Sequence, residues 1–221
     1  MIKGFIFDLD GVITDTAELH FIAWQKIVKQ LGIDYTKEDN EKLKGLPRID
    51  TLKAIINLKK SDLKLSDEEM LKICEQKNEL YKQLLDTEIT KDSLLDNIFS
   101  FISKAKQANL KLAIASSSYN APTILKKLEI IDFFDFIVNP ANVKQGKPAG
   151  DIFTQAAKGL GLDVSECIGF EDAPAGVLAI KNANMKAVAI TIEDNEVFSK
   201  ADLVVSSTSE LDFDNIISKF S

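Results

Sequence analysis

Gly4-Phe5-Ile6-Phe7-Asp8-Leu9-Asp10-Gly11-Val12 sets an apolar run against two aspartates at i and i+2 and then a glycine. Gly4 to Phe7 is short and rich in Phe and Ile, which reads as a buried strand. The carboxylates mark its end, because unpaired charges in a dry interior cost several kcal/mol, on the order of the desolvation of each ion. Gly11 permits a positive φ, so the backbone can turn away there. The plain reading is a strand closed by turn-forming residues. The chemical reading is a site for a hard cation, with one carboxylate available as a nucleophile.

Outward from this stretch, the chain of 221 residues is 45% apolar, enough for a substantial core. Its net charge of −7 comes from interspersed acids and bases, and no basic tract suggests nucleic acid or an anionic membrane. An anionic substrate would therefore depend on individually placed Lys and Arg side chains. Cys74 and Cys167 match no metal or redox spacing and read as reduced core residues. With no signal-peptide layout and no run near the ~20 apolar residues of a membrane span, a cytoplasmic setting is expected.

After the first strand, Ala17 to Leu31 carries Trp24, Ile27, Val28 and Leu31 at helical spacing, with Gly32 as a stop. A second helix is expected from Arg48 to Leu58. A third follows Ser66, whose pairing with Glu69 fits a capping box. Its apolar stripe contains one charge, Lys77. From Thr90 onward the pattern alternates. Helices are expected at 94–108, 122–130, 152–160, 174–183 and 211–220, with strands at 112–115, 136–138, 166–170, 187–190 and 203–205. This alternation implies a parallel sheet with helices on both faces. The first strand has no hairpin partner nearby and belongs in the middle of that sheet. The segment 15–90 is then an inserted all-helical cap, hinged at Val12 to Thr16 and Asp86 to Lys91, on a core made of 1–14 and 91–221. Hinge closure over the substrate is expected.

Ligands of open parallel sheets sit beyond the carboxyl ends of the strands. Asp8 and Asp10, Ser116-Ser117-Ser118, Lys147-Pro148 and Glu171-Asp172 all fall there. Each has a bland reading: turn and cap serines, a solvated loop lysine, an acidic helix start. Separate bland causes do not readily bring four acids, a lysine and hydroxyls to one edge. Together they divide the labour of phosphoryl transfer. Asp8, Asp172 and in one reading Glu171 would bind Mg²⁺ through oxygen. Lys147 would offset carboxylate repulsion, and Ser116 with the following helix would donate to phosphate oxygens. Asp8 would attack phosphorus while Asp10 acts as acid and base.

These motifs, with Gly169-Phe170-Glu171-Asp172 completing them, resemble those of the haloacid dehalogenase-like phosphotransferases, in the same order along the chain. The run from Phe7 to Glu18, then His20 and Trp24, Leu43-Lys44-Gly45 with Arg48, and Lys77-Asn78 with Tyr81 is similar to a glucose-phosphate mutase branch of that family. The resemblance implies an α/β fold: a Rossmann-like parallel-sheet core with helices on both faces and an inserted helical cap. It implies a monomeric isomerase that uses Mg²⁺ to interconvert β-glucose 1-phosphate and glucose 6-phosphate through glucose 1,6-bisphosphate. By the same resemblance, Asp8 is the phosphorylated nucleophile and Asp10 the acid/base, with its carbonyl, Glu171 and Asp172 joining Asp8 as metal ligands. Thr16, His20 and Lys44 would steer Asp10, and Lys147 is the core lysine. Gly45, Arg48, Thr51 and Lys77 would face the sugar phosphate, and Ser116, Ser118 and Asn120 the phosphate.

Two departures stand out. Tyr119 replaces an expected lysine and removes a charge from the bisphosphate side. Ala149-Gly150 replaces a proline-containing sequel to Lys147-Pro148. The cap residues also have structural readings. His20 on a helical face fits a satisfied structural histidine, and Lys77 fits a snorkelling lysine. Arg48 at a helix start is electrostatically unfavourable, which a bidentate phosphate contact would explain. Trp24 reads as cap core and is carried to the substrate side only by the resemblance. The alternative activity is a sugar-phosphate phosphatase of the same fold, in which water resolves the aspartyl phosphate.

Overall fold

A computed structural model describes residues 1–43, 46, 48–59 and 62–220. Lys44 and Gly45, two of the residues assigned to Asp10 and the sugar phosphate, lie outside the described residues. The chain divides into two compact units, Met1–Asp15 with Thr90–Ser221, and Thr16–Ile89.

The first unit is built on a six-stranded sheet. Strand β1 is Gly4–Phe7, β2 Lys111–Ile114, β3 Phe136–Ile137, β4 Cys167–Glu171, β5 Lys186–Ile190 and β6 Leu203–Val205. Their order is β3-β2-β1-β4-β5-β6, every neighbouring pair is parallel, and β1 lies in the interior as expected. Alternation along β1 sends Phe5 and Phe7 to one face and Ile6 to the other. On the first face Phe5 stacks on Phe101 at 5.5 Å and Phe7 on Phe170 at 4.7 Å between ring centroids. Ile6 joins Phe153, Ala156, Leu160 and Ile180 on the second. Each such fully buried side chain stabilises the unit by roughly 1.5–3 kcal/mol. These two layers fix the line of β1, and with it the place where the chain emerges as Asp8.

The second unit is helical: α1 Ala17–Lys29, α2 Lys37–Glu41, α3 Arg48–Leu58 and α4 Asp67–Glu88. Trp24, Val28, Tyr35, Leu52, Ile55 and Ile73 form its core. Ser66 and Glu69 make the expected capping box at the start of α4. The sequence reading passed over α2, a five-residue helix capped by Thr36 and Asp39, because it carries no apolar stripe.

The sheet unit's helices are α5 Ile98–Gln107, α6 Ala121–Lys127, α7 Asp151–Leu160, α8 Pro174–Asn182 and α9 Phe213–Phe220. Three of them correct the expected boundaries. Helix α5 starts at Ile98, not at 94, because Asn97 holds a left-handed φ of 66° and Leu94 bridges Thr14 instead. Helix α6 stops at Lys127, short of the left-handed Glu129 at φ 58°. Helix α9 begins at Phe213, where the Asp212 carboxylate accepts from the Asn215 N–H at 2.8 Å. Both cysteines are buried and free, and burial raises both thiol pKa values, that of Cys167 to about 12. No helix among the described residues is long and apolar enough to cross a membrane.

Candidate active site

The acid cluster is set by how β1 ends. The Asp8 N–H keeps one more ladder bond, to the Phe170 carbonyl at 3.0 Å. The chain then coils tightly. Gly11 N–H donates to the Thr14 carbonyl at 2.8 Å, and Ile13 and Thr14 both donate to the Leu9 carbonyl. Leu9, Val12 and Ile13 are fully buried, so apolar anchors alternate with the carboxylates and fix their direction. Gly11 is required twice over. Its φ is +77°, and a Cβ there would lie 2.0 Å from an Asp172 carboxylate oxygen.

The neighbouring strands bring the rest. Ala115 N–H donates to the Phe7 carbonyl at 2.8 Å, which places the buried Ser116 beside the start of the acidic turn. Ser116 Oγ accepts from Ser118 N–H at 3.1 Å, and Ser118 Oγ from Asn120 N–H at 3.2 Å. Two successive hydroxyl turns thus shape this loop, and each hydroxyl proton remains available to a ligand. On the other side of β1, Glu171 is the last residue of β4 and not, as expected, the first residue after it. It is paired with Ala189 and buried.

Lys147 joins the two sides. Its Nζ donates to Asp8 Oδ1 and to Glu171 Oε1, both at 2.5 Å, from a side chain only 13% exposed. Burial would lower the lysine pKa, yet the two carboxylates hold it above the ordinary range. Glu171 Oε2 accepts from Ala173 N–H at 2.8 Å, so both oxygens of this candidate metal ligand are engaged here. A Cβ at Gly176 would fall 1.7 Å from Glu171 Oε1. Reading the sequence alone missed Gly176. Its only signal was a glycine in the first turn of a helix that follows an acidic pair.

One lysine does not balance this cluster. Burial, with Glu171 and Asp10 adding to it, pushes the Asp8 carboxyl up despite Lys147. Burial, Glu171 and Asp8 push Asp172 up likewise. An all-oxygen acid cluster that drives two of its members toward the neutral form suits a hard dication. Among the described residues no three carboxylate, histidine or cysteine side chains converge as a ready-made metal cage. Fewer protein side chains than that suffice for a small cation that keeps waters and takes substrate phosphate.

The second cluster lies within the helical unit. Thr16 and His20 stand one turn apart where α1 begins, and Lys77 and Tyr81 one turn apart on α4. The Lys77 ammonium, 2% exposed, lies 2.6 Å from His20 Nδ1. Because an ammonium only donates, Nδ1 accepts and the ring proton resides on Nε2. Burial first, then the charges of Lys77 and Arg48, hold the His20 pKa well below the ordinary value. Lys77 Nζ also lies over the rings of Tyr81 at 4.6 Å and Trp24 at 5.4 Å. Trp24, assigned to the substrate side by resemblance, is 3% exposed and part of this unit's core. Arg48 donates to Asn78 Oδ1 at 3.0 Å, and Thr51 Oγ1 to the Leu46 carbonyl at 3.1 Å. Asp8, Asp10, Ser116, Ser118, Asn120, Lys147, Glu171 and Asp172 thus belong to the sheet unit, and Thr16, His20, Trp24, Arg48, Thr51 and Lys77 to the helical one.

A parallel sheet with buried carboxylates, a lysine and hydroxyl turns at its carboxyl edge defines a class. The chain belongs to the haloacid dehalogenase-like hydrolase family, which it matches over residues 5–190. It is 43% identical, over 95% of its own length and 91% of the relative's, to the β-phosphoglucomutase of Bacillus subtilis (strain 168). A crystal structure of β-phosphoglucomutase from Clostridium difficile superposes with a TM-score of 0.93 at 43% identity, covering 100% of this chain and 97% of that one. A fructose-1-phosphate phosphatase of Escherichia coli (strain K12) is 31% identical over 86% of this chain and 96% of its own.

Proposed function

We propose that this chain is an isomerase that interconverts β-glucose 1-phosphate and glucose 6-phosphate, with Asp8 carrying the phosphoryl group. The observation that supports the reading best is the 43% identity over 95% of the chain to a β-phosphoglucomutase. The strand-end geometry fits its chemistry. An Asp8 oxygen forms the new bond to phosphorus while the bond from phosphorus to the sugar oxygen breaks. Asp10 delivers a proton to that leaving oxygen. In the other half-reaction, phospho-Asp8 passes its group to the 6-hydroxyl of β-glucose 1-phosphate, Asp10 takes the hydroxyl proton, and glucose 1,6-bisphosphate results. Lys147 holds the Asp8 oxygen in place and bears positive charge beside the transferring group. Ser116, Ser118 and Asn120 are assigned to phosphate oxygens, and Thr16, His20, Arg48, Thr51 and Lys77 to the sugar phosphate and the steering of Asp10.

Asp8, Asp172 and the Asp10 carbonyl are the groups we assign to Mg²⁺, with Glu171 supporting Lys147. When bound, the ion stabilises charge on the transferring oxygens. We assign the protein to the cytoplasm as a monomer.

The phosphatase reading is favoured by a different observation. Tyr119 brings no positive charge to the phosphate loop, and the Escherichia coli relative is a phosphatase. The test is to incubate the enzyme with Mg²⁺, β-glucose 1-phosphate and a trace of the bisphosphate, and to measure glucose 6-phosphate and free phosphate together. Glucose 6-phosphate in large excess is expected. Phosphate as the dominant product would replace the mutase by the phosphatase.

A further inference from the structure

Tyr81 is the fully buried residue that ties the helical cluster together. Its hydroxyl and the hydroxyl of Thr16 share a hydrogen bond of 2.8 Å. Its ring stacks on the His20 imidazole at 4.0 Å between centroids and 23° between planes. Its face also lies 4.6 Å from the Lys77 ammonium that bonds His20 Nδ1. One side chain therefore meets both ends of the first turn of α1 and the partner that sets the tautomer of His20. We propose that Tyr81 is a positioning residue: it fixes the plane of His20, whose tautomer Lys77 sets, so that Nε2–H is presented in a single direction.

The physical argument is that an imidazole bonded only at Nδ1 keeps freedom to swing about that bond. A ring stacked at 4.0 Å removes that freedom, because rotation breaks the stack. The bond from Tyr81 to Thr16 in turn holds the tyrosine from sliding along α1, since Thr16 is the residue immediately before that helix. Among the described residues His20 Nε2 shows no hydrogen-bond partner within the protein, so this N–H is the one left for a group that arrives from outside. Preorganising a donor in this way raises turnover more than it raises affinity.

The catalytic consequence rests on the mutase reading, but the positioning itself does not, and two measurements separate them. In Tyr81→Phe the stack is kept and the bond to Thr16 is lost; in Tyr81→Leu the stack is lost as well. Nitrogen NMR of the single histidine reports its tautomer at neutral pH without any substrate. We expect one sharp Nδ1-acceptor signature in the unmodified protein, little change in Tyr81→Phe, and in Tyr81→Leu the same tautomer with an exchange-broadened Nε2–H signal. An unchanged histidine spectrum in folded Tyr81→Leu overturns the positioning role. In the mutase assay we expect kcat to stay within about threefold in Tyr81→Phe, where the stack is kept, and to fall about a hundredfold in Tyr81→Leu, with KM within about threefold. Equal losses in kcat and thermal stability, with His20 unmoved, would make Tyr81 merely structural. Absence of mutase activity in the unmodified enzyme would refute the function and leave the NMR result to decide the positioning.

Discussion

Each unit holds a largely buried lysine, and the neighbours identified around the two differ. Lys147 has two carboxylate oxygens at 2.5 Å, one from each side of the strand-end cluster. Lys77 rests against an imidazole nitrogen at 2.6 Å and over two aromatic faces. The first arrangement is a charge balance, in which removing one member leaves others buried and unpaired. The second includes polarisable and hydrogen-bonding neighbours, each worth about 0.5–2 kcal/mol. The sheet unit should therefore fail abruptly under single substitutions, and the helical unit by degrees.

The largest effect should come from Asp8→Asn. The amide keeps the shape of the side chain but cannot become the acyl phosphate, so turnover should fall by roughly 10⁴-fold or more. Quenched samples of the unmodified enzyme should show a phosphoryl adduct on Asp8 by mass spectrometry, and the variant none. An adduct elsewhere would move the nucleophile.

Lys147→Ala comes next. It strands Asp8 and Glu171, whose side chains are only 11% and 2% exposed. Breaking a buried pair in this way costs about 3–5 kcal/mol, readable from urea unfolding. The corresponding removal of Lys77 deletes a buried charge along with its aromatic contacts, and should cost less. Equal losses for the two lysines would erase the contrast between the units.

Gly176→Ala sharpens the comparison without touching a charge. The added methyl would sit 1.7 Å from Glu171 Oε1, so the carboxylate must move away from Lys147. Alanine is intrinsically better in a helix by about 1 kcal/mol, which offsets only part of the cost of disturbing a buried pair, so a loss of stability smaller than that of Lys147→Ala is expected in urea unfolding. Phosphoenzyme formation should fall about a hundredfold, the usual penalty for misplacing a catalytic group by an ångström. A stable variant with full phosphorylation rate would show that Glu171 need not hold Lys147.

The same contrast explains what the sequence made legible. The sheet unit announces itself because buried parallel strands are short apolar runs and because its acids must stand where those runs end. Asp8, Lys147 and Glu171-Asp172 could be gathered from that rule alone. The start of α5 could not, since Asn97 in a left-handed conformation is a backbone choice that Asn permits but does not impose. Helix α2 was invisible for lack of an apolar stripe, although Thr36 and Asp39 carry its cap. In the helical unit, periodicity located Lys77 on the buried face of α4 but not its partners. The relative rotation of α1 and α4 decides that His20 and Tyr81 stack, and no spacing within either helix encodes it.

The smallest effect is in the pH dependence of stability, and it isolates the helical unit's own electrostatics. In the unfolded chain His20 should titrate near its ordinary value of about 6.5. In the folded protein burial and the nearby Lys77 and Arg48 hold it well below that. The unfolded state thus binds the extra proton first as the pH falls. The contribution of neutral His20 is complete above about pH 6.5 and is lost progressively below it, by at most about 1.4 kcal/mol per pH unit. Many carboxylates also titrate in acid, so the comparison must be a difference. His20→Gln cannot take up the proton, whereas the other groups are common to both proteins. The unmodified protein's advantage over His20→Gln in urea unfolding should therefore shrink between pH 7 and pH 5. An advantage that stays constant, or grows in acid, would mean that folded His20 carries the proton and that Lys77 does not donate to its Nδ1.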